Sequence, residues 1–353
     1  MYQRWRIVFM SRKEVYSMYE VVYQSVFSDY FNSFCEQRIK LGYSDSEIRQ
    51  YFKVFDNYFY NRGIDAVFVT ESIYNDMMDY LTNENGRNRY RYASKFSMLM
   101  KYMSRLGVPV YIPRVGKIPK NNFMPYIFTH DELCKIFKVT DHLRLSKFHS
   151  HSIIIIMPAI LRMLYSTAMR IGEALALKNE DVDLDSQTIT IKSSKNRSQR
   201  IAPINPSLKI VLKQYVSYRN QIPVKGIENA SSPFFVNLSG DSCSQHSVLA
   251  RFIEILQKAG IAYKGHHQGP RIHDLRHTAC VHAMVKLVKE GKDIYCAMPY
   301  IAAYMGHKTL EATNNYLRLT KEVYPDIIKA TQAIDTLFDN SVYNNFNHED
   351  RNG

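Results

Sequence analysis

The chain has 353 residues, 46% of them hydrophobic, which is enough to bury a sizeable core and past the length at which a single core keeps growing, so two domains are expected. Lys and Arg number 46 against 33 Asp and Glu, a formal charge of +13 that suits a polyanion such as nucleic acid. The longest apolar stretch, Ile153 to Leu161, is too short for a bilayer and is interrupted by Pro158, and the first fifteen residues lack a signal-peptide core, so no membrane element is read and a cytoplasmic protein is expected.

In chain order, residues 1–20 read as an N-terminal extension, and residues 21–112 as a helical domain. Val21, Val22, Phe27, Tyr30, Phe31 and Phe34 recur at spacings of three and four, as do Tyr51, Phe52, Phe55, Tyr58 and Phe59. Four or five helices and no strands follow, with breaks at Gly42, Gly63 and Gly86 and a helix start at Thr70-Glu71-Ser72. In GRNRYRYASKF, Arg87, Arg89, Arg91 and Lys95 alternate with Tyr90, Tyr92 and Phe96; the aromatics read as core and the basic face as phosphate contacts or as an ordinary soluble face.

Residues 113–125, PRVGKIPKNNFMP, hold three prolines among Arg114, Lys117 and Lys120 and predict an extended, basic linker. Residues 126–338 return to helical patterning, except that TITIK and RIAPI alternate as a hairpin between Val182 and Ile204. The fold class is therefore mainly α with a small antiparallel β-sheet. Residues 339–353 have little to bury and read as a disordered tail. Five cysteines form no C-x-x-C pair, so neither a zinc knuckle nor a disulfide framework is indicated, and buried reduced thiols are expected.

Four short segments carry chemistry. In the first, an apolar helix from Ile153 leads into MRIGEALAL, which would set Arg170 and Glu173 on one helical face, either as a structural ion pair or as a guanidinium fork preset for phosphate. The second is the hairpin turn, where Lys195 lies among Lys192, Arg197 and Arg200: solvated charge, or a lysine beside a leaving oxygen, with Lys192 competing for that place. HDLRH is the third and puts His273 and Arg276 one turn apart on a helix running to about Lys289, able to address one phosphate or simply decorating a helix start. His266 and His267 upstream invite a metal, but no carboxylate or cysteine completes a ligand spacing, and no metal is expected. Last, Gly306 ends a helix, His307 follows, and Tyr316 lies nine residues on in the next helix, a position that sets it apart from the chain's other tyrosines.

Together these residues resemble the tyrosine recombinase, or phage-type integrase, family that includes the Xer recombinases. The family's pattern is an Arg with a carboxylate three residues on, a hairpin Lys, H-x-x-R, Gly-His, and a Tyr nine residues later; here these are Arg170 and Glu173, Lys195, His273 and Arg276, Gly306-His307, and Tyr316. Lys195 is preferred to Lys192 because it precedes Pro203 by eight residues. Met305 stands where Leu often precedes Gly-His, and Leu317-Arg318 where many relatives have Thr-His.

The resemblance implies a helical core-binding domain and a mixed α/β catalytic domain closing on double-stranded DNA as a C-shaped clamp. It further implies attack by Tyr316 to give a 3′-phosphotyrosyl bond, with Lys195 donating to the leaving oxygen, His273 taking the phenol proton, and Arg170, Arg276 and His307 holding the phosphate. No metal, ATP or other cofactor is required. Partners implied are two DNA duplexes, a homotetramer assembled on them from monomers or weak dimers, and accessory bending or directionality proteins; residues 321–338 would dock on a neighbouring protomer. Arg197 and Arg200 join Arg87, Arg89, Arg91, Lys95, Arg114, Lys117 and Lys120 as expected DNA contacts. The biological role read from the Tyr/Asn-rich texture is integration, excision or transposition of a mobile element rather than chromosome-dimer resolution. A type IB topoisomerase-like enzyme, a non-catalytic regulator on the same fold and a metal-dependent nuclease are the competing readings; the last would need clustered carboxylates that these motifs lack.

Overall fold

The computed structural model describes residues 21–81, 86–119, 124–144, 149–192, 199–263, 265, 269–306, 316 and 320. The chain divides into two compact units, Met1–Asn122 and Phe123–Gly353.

The first unit contains helices α1 (Ser28–Lys40), α2 (Ser46–Asn61), α3 (Glu71–Leu81) and α4 (Gly86–Arg105), and no strand among its described residues. The Thr70 hydroxyl accepts from the Ile73 amide at 3.3 Å, so the helix start expected there is real. Gly86 begins a helix rather than breaking one, because the helical turns of α4 already include it. Aromatic rings fill the core: Phe27, Phe31, Phe52, Phe55, Phe59 and Phe96 are fully buried. Phe27 stacks on Phe59 at 4.3 Å and Phe55 meets the edge of Phe96 at 5.3 Å, geometries that add about 0.5–1.5 kcal/mol per pair beyond area burial. The buried Asp56 carboxylate accepts from the amides of Gln24 at 2.9 Å and Ser25 at 2.8 Å, fastening the segment before α1 to α2. Residues 111–119 carry no helix or strand, and the Ser97 hydroxyl donates to the Pro113 carbonyl at 3.1 Å, so the Pro-rich segment starts its course on α4.

The second unit is built around α6 (Met157–Thr167), whose Ile160, Leu161, Met163 and Leu164 are all buried. Helices α5 (His130–Asp141), α8 (Pro206–Arg219) and α10 (Asp274–Lys289) pack against it. The apolar run expected to be helical from Ile153 is a 3-10 turn at Ile154–Ile156 before α6 begins, and Pro158 falls in the first α-turn, where a missing amide proton breaks no helical hydrogen bond. A short helix α7 (Ile171–Leu175) follows, then strands β1 (Val182–Asp183), β2 (Thr188–Lys192) and β3 (Gln199–Pro203), then α8, α9 (Gln245–Lys258), α10 and α11 (Ile294–Met305).

The strands are antiparallel in the order β1-β2-β3, with Ile189 opposite Ala202 and Ile191 opposite Arg200. The hairpin is thus present, with a two-residue third strand that the sequence reading did not include. Local caps explain several helix starts: Thr129 and Glu132 bond reciprocally before α5, and Asn205 accepts from the Leu208 amide at 2.8 Å before α8. The mainly helical class with a small antiparallel sheet stands. Among the described residues no helix is long and apolar enough to cross a membrane. All five cysteines are free, but Cys134 and Cys296 are exposed, against the expectation of buried thiols, because they lie on the outer faces of α5 and α11.

Candidate active site

The site begins where α6 stops. Ala168 adopts a left-handed conformation (φ +50°), which costs a non-glycine residue about 1–2 kcal/mol. Two tertiary bonds hold the reversal: the Arg276 guanidinium donates to the Ala168 carbonyl, and the Tyr304 hydroxyl donates to that of Ser166. The chain therefore leaves α6 sharply and Arg170 becomes the extended N-cap residue of α7 (φ −76°, ψ 148°). The sequence reading had Arg170 and Glu173 on one face of a continuous helix. They are instead cap and third residue of a new one, because the break at Ala168 is imposed from outside the helix.

Glu173 is the hub of a small ionic network. Its Oε2 accepts from the Arg170 amide at 2.9 Å and its Oε1 from Arg170 Nη1 at 2.8 Å. From the other side Arg200 donates through Nη2 to Oε2 at 2.8 Å and through Nη1 to Oε1 at 3.3 Å. Burial alone would raise the Glu173 pKa, but the Arg200 bond and the Arg170 amide outweigh it and hold the carboxyl down at about 2. Arg170 keeps 47% of its side chain open to solvent while the Glu173 side chain beneath it keeps 9%. An oriented, accessible guanidinium on an anionic base is a receptor for a phosphate.

Helix α10 supplies the second arginine. Its first turn is locked by Asp274, which accepts from the Arg271 amide at 2.8 Å and from Arg271 Nη2 at 2.9 Å. Three residues after the N-cap residue His273, Arg276 is buried and its Nη2 donates to the Met305 carbonyl at 2.6 Å. One guanidinium thus ties the end of α6 to the end of α11. Burial, then the nearby Arg170, push the Arg276 pKa below its ordinary value. The two arginines, about a hundred residues apart in sequence, share one electrostatic site.

Tyr316 lies against this site with only 7% of its surface exposed, in an apolar cluster with Ala168, Cys280, Met284 and Met305. Burial raises its pKa to about 12, and the charge and hydrogen bond of Arg276 and the charge of Arg170 only partly offset it. Two nearby arginines would by themselves favour the phenolate; in the free protein desolvation wins. His277 lies tilted against the Tyr316 ring at 5.3 Å and meets the edge of His273 at 4.9 Å, so the two imidazoles run in sequence away from the phenol. His273 is pushed below the ordinary histidine pKa by burial and by Arg276 and Arg271, which favours the uncharged imidazole.

Arg170, Glu173, His273, Arg276 and Tyr316 are therefore gathered. Lys195, Arg197, His307 and Lys120 lie outside the described residues, as do His266 and His267. Lys192, the competing lysine, is held by Asp181 at 2.5 Å and Glu180 at 3.4 Å, and the bond to Asp181 raises its pKa. Arg200, expected on DNA, points its guanidinium at Glu173 instead, because strand alternation puts it on the same face as the buried Ala202.

In the first unit, Arg87, Arg91 and Lys95 recur every four residues along α4. Arg87 donates to the Pro119 carbonyl at 3.0 Å, Arg89 pairs with Asp79 at 2.8 Å, and Lys95 approaches Glu47 at 3.7 Å. Arg91, Arg114 and Lys117 are exposed. Sequence reasoning missed the Arg271–Asp274 lock, the His277 ring beside Tyr316 and the inward Arg200; only the last had a signal, the period-two pattern of β3.

Comparison with known proteins fixes the family. The family model described as "Phage integrase family" matches residues 127–323, more than half of the chain. The chain belongs to the phage integrase family. An integrase/recombinase of Sinorhizobium fredii is 27% identical over 168 residues, spanning 47% of this chain and 52% of that one. The tyrosine recombinase XerC of Bacillus pumilus is 27% identical over 303 residues, 81% of this chain and 90% of its own length. Among solved structures, XerH site-specific recombinase bound to a palindromic difH substrate superposes with a TM-score of 0.59 at 18% identity, covering 78% of this chain and 76% of that one, which establishes the shared fold.

Proposed function

We propose that this integrase-family chain is a site-specific DNA recombinase that cuts and rejoins double-stranded DNA through Tyr316. The observation that carries the reading is a buried phenol, Tyr316, that feels the charges of Arg276 and Arg170 and lies beside His277, whose ring in turn meets His273. In the proposed step the Tyr316 oxygen attacks a backbone phosphorus, forming a 3′-phosphotyrosyl bond as the bond to the 5′-oxygen breaks. The phenol proton passes to His273, and the leaving 5′-oxygen takes a proton from Lys195, a role assigned from sequence. Arg170 and Arg276, with His307 by sequence, neutralise the extra charge of the pentacoordinate phosphorus. A free 5′-hydroxyl of a second strand then reverses the step, so the phosphoester bond energy is conserved and neither ATP nor metal is consumed.

The raised phenol pKa sets a condition on this chemistry. A buried tyrosine is a weak nucleophile, so the phosphate must arrive before the proton leaves, and unbound protein should be inert toward small electrophiles. The basic stripe of α4 and the exposed Arg114 and Lys117 would contact phosphates, and Lys120 and Arg197 are assigned the same role from sequence. Two duplexes held by four copies, with residues 321–338 docking between neighbours, and a cytoplasmic role in moving a mobile element complete the reading. The domain limits proposed are 21–112 for DNA binding, 113–125 for the linker and 126–338 for catalysis.

The test uses nicked duplexes from DNA flanking the gene, incubated with protein in EDTA and resolved on a denaturing gel. A covalent protein–DNA band that is lost in Tyr316→Phe supports the reading. Specific DNA binding with no band at any nick position would favour a regulator, and relaxation of supercoils without strand exchange would favour a topoisomerase-like enzyme.

A further inference from the structure

Arg200 does more than neutralise Glu173. Its guanidinium grips both carboxylate oxygens from β3, while the opposite side of that carboxylate carries the Arg170 amide and side chain. The same guanidinium lies against Gly306, the first residue after α11. A Cβ placed at Gly306 would stand 2.9 Å from Arg200 Nη1 and 3.1 Å from its Cδ and Cζ, closer than real side chains pack. Gly306 also has a left-handed backbone (φ +66°), so two independent constraints demand glycine there. Because the fork is bonded to both Glu173 oxygens, moving it aside for a larger residue would break those bonds. Arg276 reaches the neighbouring Met305 carbonyl at 2.6 Å, so one cation bonds the carbonyl-rich end of α11, where the helix dipole favours it, and Arg200 lies against the residue that follows.

We propose that Arg200 is a positioning residue of the reaction: it fixes the carboxylate that orients the Arg170 fork and, with the same side chain, seats the Gly306 turn from which the chain runs on toward Tyr316. The phosphate receptor and the end of α11 are thereby held in register through one guanidinium. Arg200 touches no reacting atom in this account; it acts through Glu173 and Gly306. The proposal rests on the reading that Tyr316 forms a covalent adduct.

The experiment measures the rate of adduct formation on a nicked duplex at saturating protein for wild type, Arg200→Met, Arg200→Lys, Glu173→Gln and the double variant Arg200→Met/Glu173→Gln, with DNA affinity and thermal melting beside it. Arg200→Met should react on the order of 10- to 100-fold more slowly, as small misplacements of an orienting group do, with affinity close to wild type and cooperative melting retained at a lower temperature. Arg200→Lys keeps the charge but not the fork and should recover part of the rate. The double variant should be no slower than the slower single variant, because both act through one link. Wild-type rates in both Arg200 variants, or losses that multiply in the double variant, would overturn the proposal. So would a rate loss matched by an equal loss of affinity and of salt dependence, which would make Arg200 a DNA contact. If Arg200→Met does not fold, a folded Arg200→Lys at the wild-type rate refutes the fork. Wild-type protein that forms no adduct defeats the underlying reading itself, a failure distinct from variants that react as well as wild type.

Discussion

The two units differ in emphasis, although both bury rings and the first also buries the Asp56 carboxylate. The first buries rings: Phe27, Phe31, Phe52, Phe55, Phe59 and Phe96 make its core, while Arg89 and Lys95 meet carboxylates at or near its surface. The second gathers charge at its site: Asp274 and Arg276 are buried and Glu173 is nearly covered, Arg276 and Glu173 bonded from distant segments and Asp274 from Arg271 three residues before it. A ring core is stabilised by area and forgives changes at its surface. A buried ionic network is costly to desolvate and is retained where its geometry is used. The first unit should therefore respond to mutation as a stability element and the second as a site.

The largest effect expected falls on the ring core. Phe59→Ala should lower the unfolding free energy of the first unit by about 3–5 kcal/mol, read by urea titration. A cost near zero would mean the cluster is not what holds that unit.

Next, Arg276→Lys keeps a charge but cannot bridge the Ala168 and Met305 carbonyls as a fork. Adduct formation should fall by on the order of 10²–10³, with DNA affinity much less affected. Equal losses in both would assign Arg276 to binding rather than to chemistry.

Glu173 offers a pH signature with a defined sign. Its folded pKa of about 2 lies below the usual 4.5, so its stabilising contribution is present above 4.5 and is lost as pH falls toward 2. Glu173→Gln should be less stable than wild type by roughly 3 kcal/mol at neutral pH, with the gap closing over that acid window. A gap that does not change with pH would place the cost in packing.

The smallest effect belongs to the surface of the first unit. Arg89→Ala removes an exposed pair with Asp79 and should change stability by less than about 1 kcal/mol. If Arg89 meets a phosphate, the salt dependence of DNA binding should drop by about one unit of slope.

What the sequence made legible follows from distance along the chain. The four helices of the first unit and the β2–β3 hairpin obey local periodicity, and each is present. The gathering of Arg170, His273, Arg276 and Tyr316 was reached through motif spacing, not through any local rule.

What escaped was set by contacts over long separations. Nothing local marks Ala168 as left-handed; bonds from Arg276 and Tyr304 near its carbonyl sustain it, and they turn Arg170 from a helix-face residue into a cap. Hydrophobicity misled at β3, where Ile201 is 68% exposed and Arg200 turns inward. The raised phenol pKa was not legible either, because burial in the α10–α11 cluster, invisible in sequence, outweighs two arginines.

The most direct test of the central claim is to identify the amino acid joined to DNA. The covalent complex formed in EDTA would be digested with protease and nuclease and the modified peptide sequenced by mass spectrometry. The account predicts a 3′-nucleotide phosphate on the peptide containing Tyr316, and none in the Tyr316→Phe protein. A nucleotide on a different residue, or a cleaved strand with no attached peptide, would contradict it.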